Sequence, residues 1–314
     1  MHHPKPGTAE YEEHVKEEIE QFSAFFTDGE GRETLQQPIP LAWQEVERRA
    51  AMVIHQKTGA FLNGHIESRL NARPGTRLLS LGSGPGGMEI EYAKHSRESR
   101  LVCMDLNPGL LDLGRERALE LGLDMEFIAA DLNVVELPRR EFDIVYCAAS
   151  LHHVIELERL AEQITRALKP DGELITVDVV TPNGYLMAPR TREVAHAIWK
   201  TLPNKFRVNH TASVPPKLDS QLWEADTSQH GMECVRSGDI LPVLEHAFEV
   251  REFVPYFSIS RRFLDTMYGP NYELDKPLDK AIFDWIWALD RHYIESGALP
   301  PETFFGIYRP RVAR

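Results

Sequence analysis

The run LLSLGSGPGGMEIEYAK, residues 78–94, sets glycines at alternate positions, Gly82, Gly84 and Gly86, directly after a short apolar stretch. Glycines there remove the Cβ atoms that would hold a ligand off the backbone. From Met88 the pattern turns helical, with Ile90 and Ala93 beside Glu89, Glu91 and Lys94. The start of that helix offers free N–H groups to an anionic or polar group. A nucleotide-type cofactor is the ligand such a loop suits. Two carboxylates follow, each after an apolar run: Asp105 in LVCMDLN, placed to accept both hydroxyls of a ribose, and Asp131 in FIAADLN. The segment FDIVYCAASLHHV then carries His152 and His153 just beyond another apolar run. An imidazole titrates near neutrality and can accept a proton from a hydroxyl.

These groups need a scaffold that brings loop ends together. Strands are predicted near Leu78, Leu101, Glu126, Phe142 and Leu174, alternating with helices at Met88–His95, Leu110–Leu121 and Glu156–Leu168. Such alternation predicts a parallel sheet wound by right-handed crossovers. The segment LKPDGELITVDVV reads as a helix end, a Pro-Asp-Gly turn and an eight-residue strand. Before the sheet, Tyr11 to Phe26 is acidic and aromatic, and Gly29 to Pro40 breaks the pattern. Leu41 to Leu70 then resumes as an amphipathic stretch with Trp43, Val46, Ala50, Val53 and Ile54 on its apolar face. Further strands are predicted at Phe248–Ser258 and Thr303–Arg309, separated by a segment that contains the aromatic helix FDWIWALDRHY.

Glycine loop, acidic strand end, second acidic loop and the strand before the histidines, in that order, resemble the class I S-adenosylmethionine (SAM) dependent methyltransferases, the small-molecule branch in particular. The resemblance covers roughly residues 73–180 and the C-terminal strands. It implies a Rossmann-like α/β fold with a seven-stranded, mostly parallel sheet in the order 3-2-1-4-5-7-6 and helices on both faces. It divides the chain into a helical N-terminal cap (1–72), a SAM-binding core (73–181) and a helical lid insertion (182–237). The remainder (238–314) completes the sheet, with its own insertion at about 259–302. The cap and the two insertions are expected to roof the open end of the sheet, where ligands of such folds bind.

By the same resemblance Gly82, Ser83, Gly84 and Gly86 hold the methionyl part of SAM, and Asp105 with Leu106 takes the ribose. Asp131 and the Leu132 backbone meet the adenine, and residues from Cys147 to His152 line the methyl-transfer face. The product would be S-adenosylhomocysteine (SAH). Because the sulfonium already activates its methyl group, the protein needs chiefly to align a nucleophile. A hydroxyl acceptor also needs a base; His152 is the first candidate and His153 the second, although a Leu-His-His stretch can simply shape the pocket. O-methylation of a small metabolite is the first expectation. N- or C-methylation, or a SAM-binding protein without turnover, are the alternatives.

Asp178 could reach the pocket from the end of the fifth strand, or bond nearby backbone. Met88 is expected to pack beneath the cofactor, and Glu12, Glu13, Glu17, Glu18 and Glu20 to form a solvated face. His210, His230 and His292, scattered among polar neighbours, read as surface residues, and Trp199, Trp285 and Trp287 as core or aromatic wall. The glycine spacing, and the lack of a basic residue near Asp105, disfavour a nicotinamide dehydrogenase.

Composition narrows the partners. A formal net charge of -13 over 314 residues, with 42% hydrophobic and 26% charged residues, disfavours nucleic acid, which needs a concentrated basic face. Arg48 and Arg49, Arg139 and Arg140, and Arg261 and Arg262 read as isolated, solvated pairs. After FDIVY the chain continues CAAS, without the Asn/Asp-Pro-Pro-aromatic motif of nucleic-acid amino methyltransferases. Cys103, Cys147 and Cys234 show no ligand spacing, so no metal is expected. No signal peptide or membrane-length apolar run is visible, and a cytoplasmic enzyme of a small-molecule substrate is expected. The aromatic N-terminal helix makes a homodimer conceivable.

Overall fold

A computed structural model describes residues 3–26, 39–211, 215–229 and 231–311. The break at Gly29–Pro40 lies largely outside these residues, as does part of the segment Val214–Lys217; His230 lies wholly outside. The core is one seven-stranded sheet. Its strands are β1 (Arg77–Leu81), β2 (Arg100–Asp105), β3 (Met125–Ala129), β4 (Phe142–Ala148), β5 (Leu168–Val179), β6 (Phe248–Tyr256) and β7 (Thr303–Pro310). They run in the order 3-2-1-4-5-7-6, with β7 antiparallel between β5 and β6. Both the strand order and the single reversed strand match the expectation from sequence.

Helices cover both faces, so the central strands are apolar without alternation. Leu78, Leu79 and Leu81 of β1 are all buried. On one face, Leu157, Leu160 and Ile164 of α6 (Leu157–Ala167) pack with Ile240 and Leu244 of α8 (Ile240–Ala247). On the other, Val46, Ala50, Val53 and Ile54 of α2 (Leu41–Thr58) join Ile66 of α3 (Leu62–Leu70), Trp199 and Phe283. The stretch Leu41 to Leu70 is therefore two helices, divided where Gly59 adopts a φ of 82°. Trp199 is core, Trp287 is partly buried and Trp285 is 48% exposed, as their spacing of two requires.

The Pro-Asp-Gly turn differs in detail from expectation. Phe142 pairs with Leu168 and Ile144 with Glu173, so residues 169–172 bulge out of β5 opposite a single residue of β4. The turn is an interruption inside one strand rather than a connection before it.

Helix α1 (Ala9–Phe25) is capped by the Thr8 side chain accepting from the Tyr11 N–H. It lies over the carboxyl ends of β2 and β3, as the Asn107 side chain donates to the Ile19 carbonyl and to Ser23 Oγ. Glu17 and Glu18 accept the backbone N–H groups of Gly231 and Met232. Glu18 is thus buried, not part of a solvated face, because these amides and a histidine described below surround it.

The loop after β6 is held by one carboxylate. Asp290 of α10 (Pro277–Glu295) takes the N–H groups of Ser258, Ile259 and Ser260 on its Oδ1 at 2.7, 2.7 and 2.8 Å, and so fixes the start of α9 (Ser260–Leu264). Asp290→Ala leaves three buried donors without their acceptor. We expect a loss of about 2–3 kcal/mol in urea unfolding; a change below about 0.5 kcal/mol would show that these amides find other partners.

Candidate functional site

Between α1 and the carboxyl ends of β1, β2 and β4 lies a cavity of about 320 Å³. Its size falls in the range of small-ligand sites. Gly82, Ser83 and Gly84 form one wall; Asp105, Leu106, Asn107, Asp131 and Leu132 form the floor. Ala148, Ala149, Ser150 and His153 close the far end, and Glu18, Phe22 and Phe26 of the N-terminal segment form the roof. The glycine loop stays tied to β2, with the Gly82 and Ser83 N–H groups both donating to the Met104 carbonyl. At Gly82, φ is 68° and an added Cβ would fall 2.4 Å from Ser150 Cβ. Only glycine lets the β1 and β4 loops meet at that distance.

Asp105 sits with Oδ2 accepting from the Gly84 N–H at 2.7 Å and Oδ1 from the Asn107 N–H at 2.8 Å. Each oxygen keeps a further lone pair for a ligand hydroxyl. Burial pushes the Asp105 carboxyl up, and the two amides oppose that rise. Asp131 accepts from the Asn133 N–H at 2.8 Å and from the Tyr11 hydroxyl at 2.6 Å. Tyr11, buried in α1, is held far from ionisation by burial and by that carboxylate.

The β4 loop is organised by Asp178 at the end of β5. Its Oδ2 accepts from the Ser150 and Leu151 N–H groups at 3.0 and 2.7 Å; its Oδ1 accepts from the Val179 N–H at 2.8 Å and stands 2.5 Å from His152 Nδ1. Asp178 therefore bonds backbone and does not enter the cavity. His152, its ring turned onto Asp178, is 5% exposed and is absent from the cavity wall. His153 occupies the wall in its place, with Glu18 Oε1 2.7 Å from Nδ1 and Glu233 Oε2 3.6 Å from Nε2. Burial alone would lower the His153 pKa, but Glu18, Glu233 and Asp178 outweigh it and raise it to about 9. The pairing stabilises the fold fully below about pH 6.5 and is lost as pH rises through about 9.

Several site expectations need correction. Cys147 is fully buried among Val145, Leu151 and Leu174 on the sheet face away from the cavity, because alternate residues of β4 point to opposite sides. Gly86 does not line the cavity either. Its Cβ position is filled by Cys103 and Phe127, so it serves close packing of the loop. Met88 is 43% exposed and lies outside the wall. Gly82, Ser83, Gly84, Asp105, Leu106, Asp131 and Leu132 do converge on the cavity. Reading the sequence missed Tyr11, Glu18, Phe22, Asn107 and Met232. Only Asn107 carried a local signal: an N-cap before Pro108, its Oδ1 accepting from the Gly109 N–H.

Among the described residues one group could hold a metal. His152, Glu233 and Cys234 bring ligand atoms within 4.8 Å of one another. Each already has a protein partner: His152 on Asp178, and the Cys234 thiol on Glu233 at 3.3 Å. Burial and Glu233 push the Cys234 thiol far up.

Residues 78–172 match the family model described as a methyltransferase domain. A ubiquinone/menaquinone biosynthesis C-methyltransferase from Ectopseudomonas mendocina is 31% identical over 119 residues, covering 37% of this chain and 46% of the relative. The chain thus aligns with about half the length of the curated relatives it matches. Among solved structures, a [4+2]-cyclase superposes with a TM-score of 0.52 at 16% identity over 99% of each chain. A geranyl diphosphate C-methyltransferase from Streptomyces coelicolor A3(2) does so with 0.51 at 14% identity, over 98% of this chain and 100% of that one. These two likenesses, each over nearly the whole chain, show a shared fold. No helix among the described residues is long and apolar enough to cross a membrane. Sheet order, glycine loop and family match agree: residues 78–172 form a methyltransferase domain of the class I SAM-dependent type.

Proposed function

We propose that the chain transfers a methyl group from SAM to a small-molecule acceptor, with a hydroxyl oxygen as the accepting atom. The observation that carries this reading is His153, an imidazole held by Glu18 on the wall of the cavity that Asp105 and Asp131 also line. The residues fit the cofactor. Gly84 leaves room against the backbone, Asp105 has lone pairs free for ribose hydroxyls, and Leu132 lies beside Asp131 at the adenine end. When bound, SAM supplies an electrophilic methyl on a sulfonium.

The protein's part is placement and proton removal. The acceptor hydroxyl would give its proton to the His153 imidazole, while bound SAM would supply the methyl group and leave as SAH. Glu18 stands at Nδ1 and Glu233 near Nε2, and the two carboxylates hold the ring on the cavity wall. Helix α1 covers the cavity, excludes water and makes the reacting groups more effective. Removing the proton from a ring hydroxyl also activates its neighbouring carbon, so C-methylation is the second reading. The C-methyltransferase names of the sequence relatives favour it. A third reading, cofactor binding without methyl transfer, has the [4+2]-cyclase among the fold neighbours in its favour. Formation of SAH together with a product heavier by one CH2 separates transfer from mere binding, and NMR of the product separates oxygen from carbon.

Three outcomes are expected. Asp105→Ala weakens SAH binding by more than about tenfold in calorimetry, because the ribose loses a charged acceptor; unchanged affinity would take Asp105 out of the site. His153 is about 99% protonated at pH 7 for a pKa near 9. Turnover should therefore rise roughly tenfold per pH unit from pH 6 and level near pH 9, and His153→Gln should cost about 100-fold in kcat with SAH affinity kept. A flat profile across that range would remove His153 as the base. Since the candidate metal-binding side chains are already engaged, EDTA should leave turnover unchanged; a loss restored by a divalent ion would reassign His152, Glu233 and Cys234 as ligands.

A further inference from the structure

The arginines of the SRRF segment, expected to be solvated, are both drawn into the fold, and on different terms. Arg262 is 4% exposed and meets the buried Glu302 in a two-pronged pair, Nε at 2.9 Å from Oε2 and Nη2 at 2.9 Å from Oε1. Its charge is matched within the protein. Arg261, half-buried at the start of α9, makes no side-chain hydrogen bond or ion pair with any described residue. Its guanidinium rests over the Tyr185 ring at 5.2 Å.

Among the described residues four carboxylates feel the Arg261 charge, and none pairs with it. Asp265 accepts from the Met267 and Tyr268 N–H groups, Glu302 is taken by Arg262, Glu233 faces both histidines and Glu47 bonds Trp43. A guanidinium is charged at every accessible pH and carries five N–H donors in a planar fork. Half out of water and without a protein acceptor, it keeps donors for a ligand, and oxyanions are its usual match.

The surroundings mark the place as built. Tyr185, Cys234 and Phe257, on three separate loops, hold φ values of 60°, 53° and 56°, a region that non-glycine residues occupy at a cost. The Gly184 N–H donates to the Cys234 carbonyl at 2.8 Å and ties two of these loops together. Glu233, whose carboxylate stands 3.7 Å from His152 Nε2 and 3.6 Å from His153 Nε2, also lies within the field of Arg261. It links the end of the cofactor cavity to the arginine. Tyr185, Tyr256 and Phe257 supply flat apolar surface nearby, the last two in edge contact at 4.8 Å.

We infer that Arg261 anchors an anionic group of the methyl acceptor, a carboxylate or a phosphate, against the ring of Tyr185. This deepens the methyl-transfer reading and rests on it. The acceptor would carry a negatively charged group at one end and the methyl-accepting atom at the other. Arg261 fixes the first while His153 meets the second, which makes Arg261 a specificity-determining residue.

The test uses the full-length protein saturated with SAH and three probes: 4-hydroxybenzoate, phenyl phosphate and the neutral 4-hydroxybenzamide. Binding is read by thermal shift and calorimetry. We expect at least one anion to bind, the amide to bind at least about tenfold more weakly, and Arg261→Gln to weaken the anion at least about tenfold with SAH affinity unchanged. Arg261→Lys, which keeps the charge and loses the fork, should fall between, and serves alone if the glutamine variant does not fold. The anion that binds distinguishes carboxylate from phosphate. Equal binding of the amide, anion binding indifferent to Arg261, or no anion binding to the wild-type SAH complex would each overturn the assignment. Failure of SAH itself to bind would instead sink the methyl-transfer reading.

Discussion

The site depends on one buried carboxylate. Asp178, 1% exposed at the end of β5, gathers three backbone N–H groups and the His152 ring onto its two oxygens. A charge so far from water is tolerated because its lone pairs are nearly all engaged. The consequence is geometric. The β4 loop is pulled across the sheet edge, Ala149 adopts a φ of 50°, Ser150 comes against Gly82, and the chain turns so that His152 faces inward and His153 outward. Which histidine meets the cavity is decided by that carboxylate and not by the properties of either ring.

Helix α1 imposes the second constraint. Three of its contacts reach different parts of the nucleotide fold: Tyr11 to Asp131, Ser23 to Asn107, and Glu18 to both His153 and the Met232 amide. The helix thereby roofs the cavity and also supplies the charge that raises the His153 pKa. Its Phe22 ring stands edge-on to His153 at 5.3 Å, which narrows the space above the imidazole. Since Phe22 and Phe26 face the cavity, the aromatic character of the segment is accounted for within one chain.

Much of the core was legible because its signals are local. A short apolar run, an alternating glycine loop and an acidic strand end each follow from short-range sterics and hydrogen bonding, so Gly82, Gly84 and Asp105 could be placed from spacing, and Asp131 from the family resemblance. What could not be read were long-range choices. Glu18 and Glu17 look like any solvated acidic residues until the chain returns at Gly231 and Met232, more than two hundred positions later. The two arginines at 261 and 262 resemble a surface pair, yet both guanidiniums sit over Tyr185 and Glu302 claims one of them. Cys147 failed for a different reason: pleat parity sent it to the opposite face, which a one-residue shift in strand register would have reversed.

The most direct test of the central claim, that α1 closes a SAM site on the methyltransferase core, is amide hydrogen exchange with and without SAH. The account predicts slower exchange in residues 9–25, in the loop 82–84 and around 105–107 and 131–133, with no comparable protection from NAD. Unchanged exchange in α1 with SAH bound, or protection of the same segments by NAD instead, would contradict it.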